Sequence, residues 1–203
     1  MLIVISSEAE ITAEAMCINQ LFLSGMRCFH LRKPMATEEE CRALISAIDP
    51  QYHEKLMLHQ FYDLCAEFDL KGIHLKEAFR RGLGEKGVAY VRSYQEKGFC
   101  VSSSFHSILE LESCSIPFDY FLLSPVFNSI SKKNYKGSGF EVKDSKKKIV
   151  GLGGISNKTI AKAAQLGYKG VAVLGAVWEH KNPEECFKEL KECYQLNNLQ
   201  NEV

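Results

Sequence analysis

Eight short apolar runs, each followed by an amphipathic stretch, recur along this chain, and that alternation restricts its fold more than any single motif. The runs are LIVIS (2–6), RCFHLR (27–32), KLMLH (55–59), GIHL (72–75), FCVSSSFH (99–106), YFLLSPVF (120–127), KIVGLGGI (148–155) and GVAVLGAV (170–177). They show little polar alternation, as strands do when helices crossing between parallel neighbours cover both faces of the sheet. Between them lie TAEAMCINQLFLSG, TEEECRALISAI, NKTIAKAAQLG and NPEECFKELKECYQL, with apolar residues at helical spacing. Thr37 followed three residues later by Glu40 is a capping box, Asn157 precedes a helix that ends at Gly167, and Asn182-Pro183 opens the last helix. Eight such units in 203 residues predict an α/β protein, a single-domain (β/α)8 TIM barrel spanning residues 1–203.

Composition removes several functional classes. Lys+Arg and Asp+Glu each number 25, so the chain carries no net charge and lacks the basic excess of a nucleic-acid footprint. The run Lys146–Lys148 reads as a solvated turn before a strand. No apolar run approaches the ~18 residues of a membrane span, and Met1 leads into LIVISS with no basic leader segment. Eight cysteines include no CxxC pair, and most sit within apolar stretches, which suggests reduced core thiols and a cytoplasmic protein. No nucleic-acid or membrane partner is expected.

In barrels of this type chemistry gathers at the C-terminal ends of the strands. Those ends present His30 and Arg32, His59 and Gln60, His74, Ser104 and His106, Ser124, Gly153 and Gly154, and Leu174-Gly175. Four of the six histidines are therefore expected on one rim. No HxH or HExxH spacing accompanies them, so no metal ligand is assigned. The glycine turns after the seventh and eighth runs suit a phosphate ester, because backbone N–H groups at such turns and at helix N-termini cradle anions. The irregular segment 128–148 adds Ser129, Ser131, Lys132 and Lys133, which with Arg32 suit a second anionic group such as a diphosphate.

With these residues in view, the chain resembles the thiamine phosphate synthase/TenI superfamily over essentially its whole length. The resemblance rests on five short motifs in order: His30-Leu31-Arg32-Lys33, Ser104-Phe105-His106-Ser107, Ser124-Pro125-Val126-Phe127 followed by Ser129-Ile130-Ser131-Lys132, Leu152-Gly153-Gly154-Ile155, and Val171 to Val177. It implies a thiamine-biosynthesis enzyme that binds a thiazole phosphate, with a homodimer as the expected assembly. By position, His30, Arg32, Lys33 and Lys132 would hold the diphosphate of a pyrimidine methyl diphosphate, with Ser104 beside the pyrimidine. Ser129, Ser131, Gly153, Gly154, Leu174 and Gly175 would hold the thiazole phosphate.

Two branches of the family differ in chemistry. The synthase joins the pyrimidine and thiazole phosphates, expels diphosphate and uses Mg²⁺ held by aspartates after strands three and four. Here those positions read His59-Gln60-Phe61 and Lys76-Glu77-Ala78-Phe79. Glu77 stands two residues out of register with the second aspartate, and Lys76 brings a positive charge of its own. TenI isomerises the thiazole tautomer by proton transfer without a metal, using a histidine after strand six, where this chain has Pro125. His106, His30 or His59 is then the acid–base candidate, because imidazole suits proton transfer near neutral pH. The leading expectation is a metal-independent, TenI-like thiazole tautomerase with no cofactor, Mg²⁺ being required only by a true synthase. The alternatives are that synthase and a non-catalytic ligand-binding paralogue.

Overall fold

The structure is a computed structural model that describes residues 1–128 and 137–197. Eight parallel strands close into a barrel in chain order, with the last pairing back on the first. They are β1 (Leu2–Ile5), β2 (Phe29–Leu31), β3 (Leu56–Leu58), β4 (Gly72–Leu75), β5 (Cys100–Phe105), β6 (Tyr120–Leu123), β7 (Ile149–Leu152) and β8 (Gly170–Val173). Each lies inside one of the eight apolar runs, so the (β/α)8 expectation is met. Helices that include Glu14–Leu23, Glu38–Ala47, Gly87–Gln95 and Pro183–Leu196 connect the strands. No helix among the described residues is long and apolar enough to cross a membrane.

Strand geometry sends alternate side chains to opposite faces, and here that divides the apolar residues into two clusters. Leu2, Val4, Phe29, Leu31, Leu56, Leu58, Ile73 and Leu75 join the larger cluster between the strands and the helices. Ile3, Ile5, Cys28, Met57, Tyr120, Leu122, Val150 and Ala172 fill the barrel interior. In the inward phase of β2, β4 and β5, polar groups replace hydrocarbon: His30, His74, Ser102 and Ser104. His30, His74 and Ser102 are fully buried. The interior is thus polar along one arc, β2 to β5, and apolar along the other, β6 through β8 to β1.

The helix signals act largely as expected. Thr37 and Glu40 form both bonds of a capping box, and the Asn182 side chain accepts from the Glu185 N–H ahead of Pro183–Leu196. The helix before Gly167 starts later than Asn157, spanning Ile160–Gln165 with Thr159 at the cap position. The Thr159 hydroxyl accepts from the Ser156 N–H at 2.9 Å, while the Asn157 amide reaches Glu189 at 3.3 Å. Gly167 ends the helix in a left-handed conformation, φ +93°.

At Gly72, facing Cys100 across the β4–β5 pair, there is no room for a side chain. A Cβ there would lie 1.9 Å from the Cys100 carbonyl oxygen, a backbone atom of the neighbouring strand. Gly72→Ala is expected to lower stability by about 1–3 kcal/mol or more, as overpacking does. Denaturant unfolding measures this, and an unchanged midpoint would show that the strands separate freely at this point.

Candidate active site

A cavity of about 430 Å³ opens at the C-terminal ends of the strands. Of the residues expected there from sequence, Arg32, His59, Ser104, His106, Gly153, Gly154, Leu174 and Gly175 line it, together with Ser124. His30 lies one layer deeper, fully buried behind His59. Lys33 is turned into a neighbouring cleft, where it pairs with Glu14 at 2.6 Å and donates to the Ala9 carbonyl at 3.1 Å. Gln60, expected on the rim, also points away: its amide donates to the Lys33 carbonyl at 2.5 Å. Phe61 directly after it adopts a left-handed conformation, φ +53°, which turns the chain off the rim. Ser129, Ser131, Lys132 and Lys133 lie outside the described residues.

The floor of the cavity is a cluster of imidazoles. His30 Nδ1 and His59 Nε2 are 2.9 Å apart, and His30 Nε2 lies 2.6 Å from the Tyr120 hydroxyl. His74 sits between two hydroxyls, Ser102 Oγ at 2.8 Å from Nδ1 and Ser104 Oγ at 2.7 Å from Nε2. The rings of His59 and His74 stack with centroids 4.3 Å apart, and His30 approaches them at 5.1 and 5.3 Å. A buried polar atom without a partner costs about 1–3 kcal/mol, so these pairings are what make such an interior tolerable. One ring nitrogen from each histidine lies within 4.8 Å of the other two. Sequence spacing does not show this cluster, because its members come from three different strands. Tyr120 and Ser102 are likewise recognisable only after the barrel has closed.

Burial dominates the protonation of these groups. It holds His30 well below the ordinary histidine range, with the His74 and Lys71 charges acting in the same direction. His59 is lowered in the same way by burial, then by His74, His30, Arg32 and Lys76. His74 is pushed down to about 3 by burial and by the Arg32 and Lys76 charges. Burial also raises the Tyr120 phenol well above its usual range. The cluster is therefore neutral at physiological pH.

His106 is different, being exposed on the cavity wall. Its Nδ1–H donates to the Ser124 carbonyl at 2.9 Å, with the Ser124 hydroxyl 3.2 Å away. A carbonyl only accepts, so the proton of the neutral ring resides on Nδ1 and Nε2 keeps its lone pair.

Across the cavity, Gly153 and Gly154 follow β7 at φ +97° and +66°. A Cβ on Gly154 would come within 2.3 Å of the Asn128 carbonyl oxygen, so backbone alone fits there. The short helix Gly175–Trp178 begins directly after β8 and turns its first residues to the same wall. Trp178 anchors it by donating to the Ile5 carbonyl at 2.6 Å. Exposed backbone N–H groups at such turns suit an anion.

The carboxylates on the wall, among the described residues, are Glu8 and Glu77. Glu8 pairs with Arg32, and Glu77 with Arg80 at 3.6 Å and Arg81 at 3.3 Å. Arg80 is in turn held 3.8 Å over the Phe105 ring and 2.9 Å from Glu110. Magnesium prefers free carboxylate and water oxygens in octahedral geometry. Carboxylates already committed to arginines, next to imidazoles, do not fit that ion.

The fold and rim define a (β/α)8 barrel with its cavity at the strand ends, and comparison with known proteins narrows the class. The sequence profile of the thiamine monophosphate synthase (TMP-TENI) family matches residues 1–177. The chain belongs to this family, whose enzymes act in thiamine biosynthesis. A thiamine-phosphate synthase of Listeria monocytogenes is 26% identical over 190 residues, 86% of each chain. A thiamine phosphate pyrophosphorylase of Bacteroides thetaiotaomicron superposes with TM-score 0.74 at 25% identity, covering 97% of this chain and 98% of that one. One from Pyrococcus furiosus gives TM-score 0.78 over 97% and 96%, at 19% identity a likeness of fold alone.

The buried imidazoles link stability to pH with a definite sign. Unfolded histidines titrate near pH 6.5, whereas His74 folded does so near 3. Between these values the unfolded chain binds more protons, so stability is full above about pH 6.5 and falls as pH drops toward 3. His74 alone contributes a slope of about 1.4 kcal/mol per pH unit in that window, and His30 and His59 act in the same sense. Urea midpoints at about pH 7 and pH 5 test this, and equal midpoints would mean that the cluster is not buried as neutral imidazole.

Proposed function

We propose that this chain binds a thiazole phosphate and isomerises its ring by acid–base catalysis, as a magnesium-independent thiazole tautomerase. The observation that carries this reading is His106, whose Nδ1–H is committed to the Ser124 carbonyl while Nε2 remains a basic nitrogen on the cavity wall. A tautomerisation needs one proton removed and one returned, which a single imidazole can do in sequence. His30 and His59, the other two candidates, are buried and paired with each other, which suits them to positioning more than to exchanging protons with a ligand.

The phosphate would lie against Gly153, Gly154, Leu174 and Gly175, where backbone N–H groups meet the cavity. Arg32 and Lys76 make the opposite side electropositive and would receive a second anionic group, such as the diphosphate of a pyrimidine methyl diphosphate, with Ser104 beside it. That arrangement, together with the names of the relatives, supports the synthase reaction as the second reading. The poor fit of Mg²⁺ to the wall carboxylates ranks it second. The cysteines of the described structure are all free thiols, which supports the cytoplasm as the place of action.

The test supplies thiazole phosphate as its non-aromatic tautomer, without added magnesium, and follows aromatisation. The wild-type chain is expected to accelerate it, and His106→Asn to lower kcat by about 10²-fold or more with a smaller change in KM. Thiamine phosphate formed from pyrimidine methyl diphosphate only when Mg²⁺ is added would sink the tautomerase reading and assign the synthase reaction.

A further inference from the structure

The mechanism above leaves the His30–His59–His74 cluster without a chemical task. Three neutral imidazoles are packed into the polar arc of the barrel, with no carboxylate among their hydrogen-bond partners. We propose that His30, His59 and His74 form a binding site for a divalent transition ion of the zinc, cobalt or nickel type, with its open coordination position facing the cavity.

Donor chemistry selects the ion. Imidazole nitrogen suits borderline transition metals, whereas magnesium and calcium require oxygen. One nitrogen from each ring already lies within 4.8 Å of the others. A tetrahedral ion with metal–nitrogen bonds of about 2.0–2.1 Å needs nitrogens about 3.3 Å apart, so His30 Nδ1 and His59 Nε2, now 2.9 Å apart, open slightly while the His74 nitrogen, within 4.8 Å of them, draws in. His30 offers Nδ1, because its Nε2 is occupied by Tyr120 at 2.6 Å. Tyr120 then fixes the tautomer of the ligand ring, as outer partners of metal histidines do. His59 offers Nε2, the atom now 2.9 Å from His30 Nδ1, so one hydrogen bond is exchanged for two metal bonds. His74 gives up one of its two serine contacts and keeps the other as its outer partner.

Ring orientation must change as well. His59 stacks on His74 at an interplanar angle of 29°, and parallel rings do not aim at a common point. Among the three it is His59 that reaches the cavity wall, and turning it about its soft χ2 torsion brings its nitrogen round. The ion would enter from the cavity past the same side chain. The ligands are uncharged, so the bound ion keeps its full charge; Arg32 and Lys76 oppose positive charge at this place, and an anion from the cavity as fourth ligand offsets them.

This inference is independent of the tautomerase reading, since its readout is the metal alone. The full chain, dialysed against chelator, is titrated with Co²⁺. One equivalent is expected to bind and give the visible d–d absorption of a four-coordinate ion, and Zn²⁺ should displace it. His59→Gln and His74→Gln should each weaken binding at least ~10-fold, and Tyr120→Phe by about tenfold through the outer partner. His180→Ala, on the surface, should leave it unchanged. Thiolate-to-cobalt charge-transfer bands, or unaltered affinity in His59→Gln, would overturn the assignment. Should a variant fail to fold, X-ray absorption on the Zn²⁺-loaded wild type decides: imidazole scattering near 2.0 Å supports the site and its absence refutes it.

Discussion

Closure of eight parallel strands is the constraint on which everything else in this molecule depends. A closed barrel has no free edge, so every strand must keep one phase of its side chains inside and the other against the helices. Each strand then commits only two or three residues to the interior, and the identity of those few decides what the cavity floor is made of. Here β2, β3 and β4 each commit a histidine near the C-terminal end, while β7 and β8 commit Val150 and Ala172. The register pairs His30 with Met57 and His74 with Ser102, so the imidazoles stand in adjacent steps round one wall.

Much of the fold is legible in the sequence for a simple reason. Periodicity and capping are local, and LIVIS, GIHL or Thr37-Glu-Glu-Glu40 each carry their own signal within a few residues. The rim is legible one step further, because a barrel places strand ends together whatever their sequence. What local reasoning does not supply is orientation after the strand stops. Gln60 looks equivalent to His59 on paper, yet the left-handed Phe61 and the Lys33 carbonyl turn it away. Lys33 follows Arg32 in the family motif, but the buried carboxylate of Glu14 draws it into another cleft. The imidazole cluster is the extreme case, since its three members are separated by 29 and 15 residues and no spacing rule connects them. Ser129, Ser131 and Lys132, which the sequence assigns to the phosphate and diphosphate, lie outside the described residues.

The charged residues around the rim form a hierarchy of commitments. Glu77, Glu110, Arg80 and Arg81 pair with one another, and the two arginines hold the Glu110 carboxyl down to about 2. Glu8 meets Arg32, and Glu14, though raised by burial, meets Lys33. On the cavity wall the two carboxylates among the described residues, Glu8 and Glu77, are both paired with arginines. Beside these paired carboxylates, the imidazoles of His59 and His106 are the nitrogen bases that reach the cavity wall.

The division of the interior into a polar and an apolar arc has a stereochemical consequence. A flat ring held between them meets hydroxyls, imidazoles and a guanidinium along one side, and Leu122, Leu152, Ala172 and Val173 along the other. Its two faces are therefore never equivalent, whichever way its phosphate is tethered. A proton exchanged with His106 would then move on one face alone, and a stereocentre or isotopic label introduced that way would carry a single handedness.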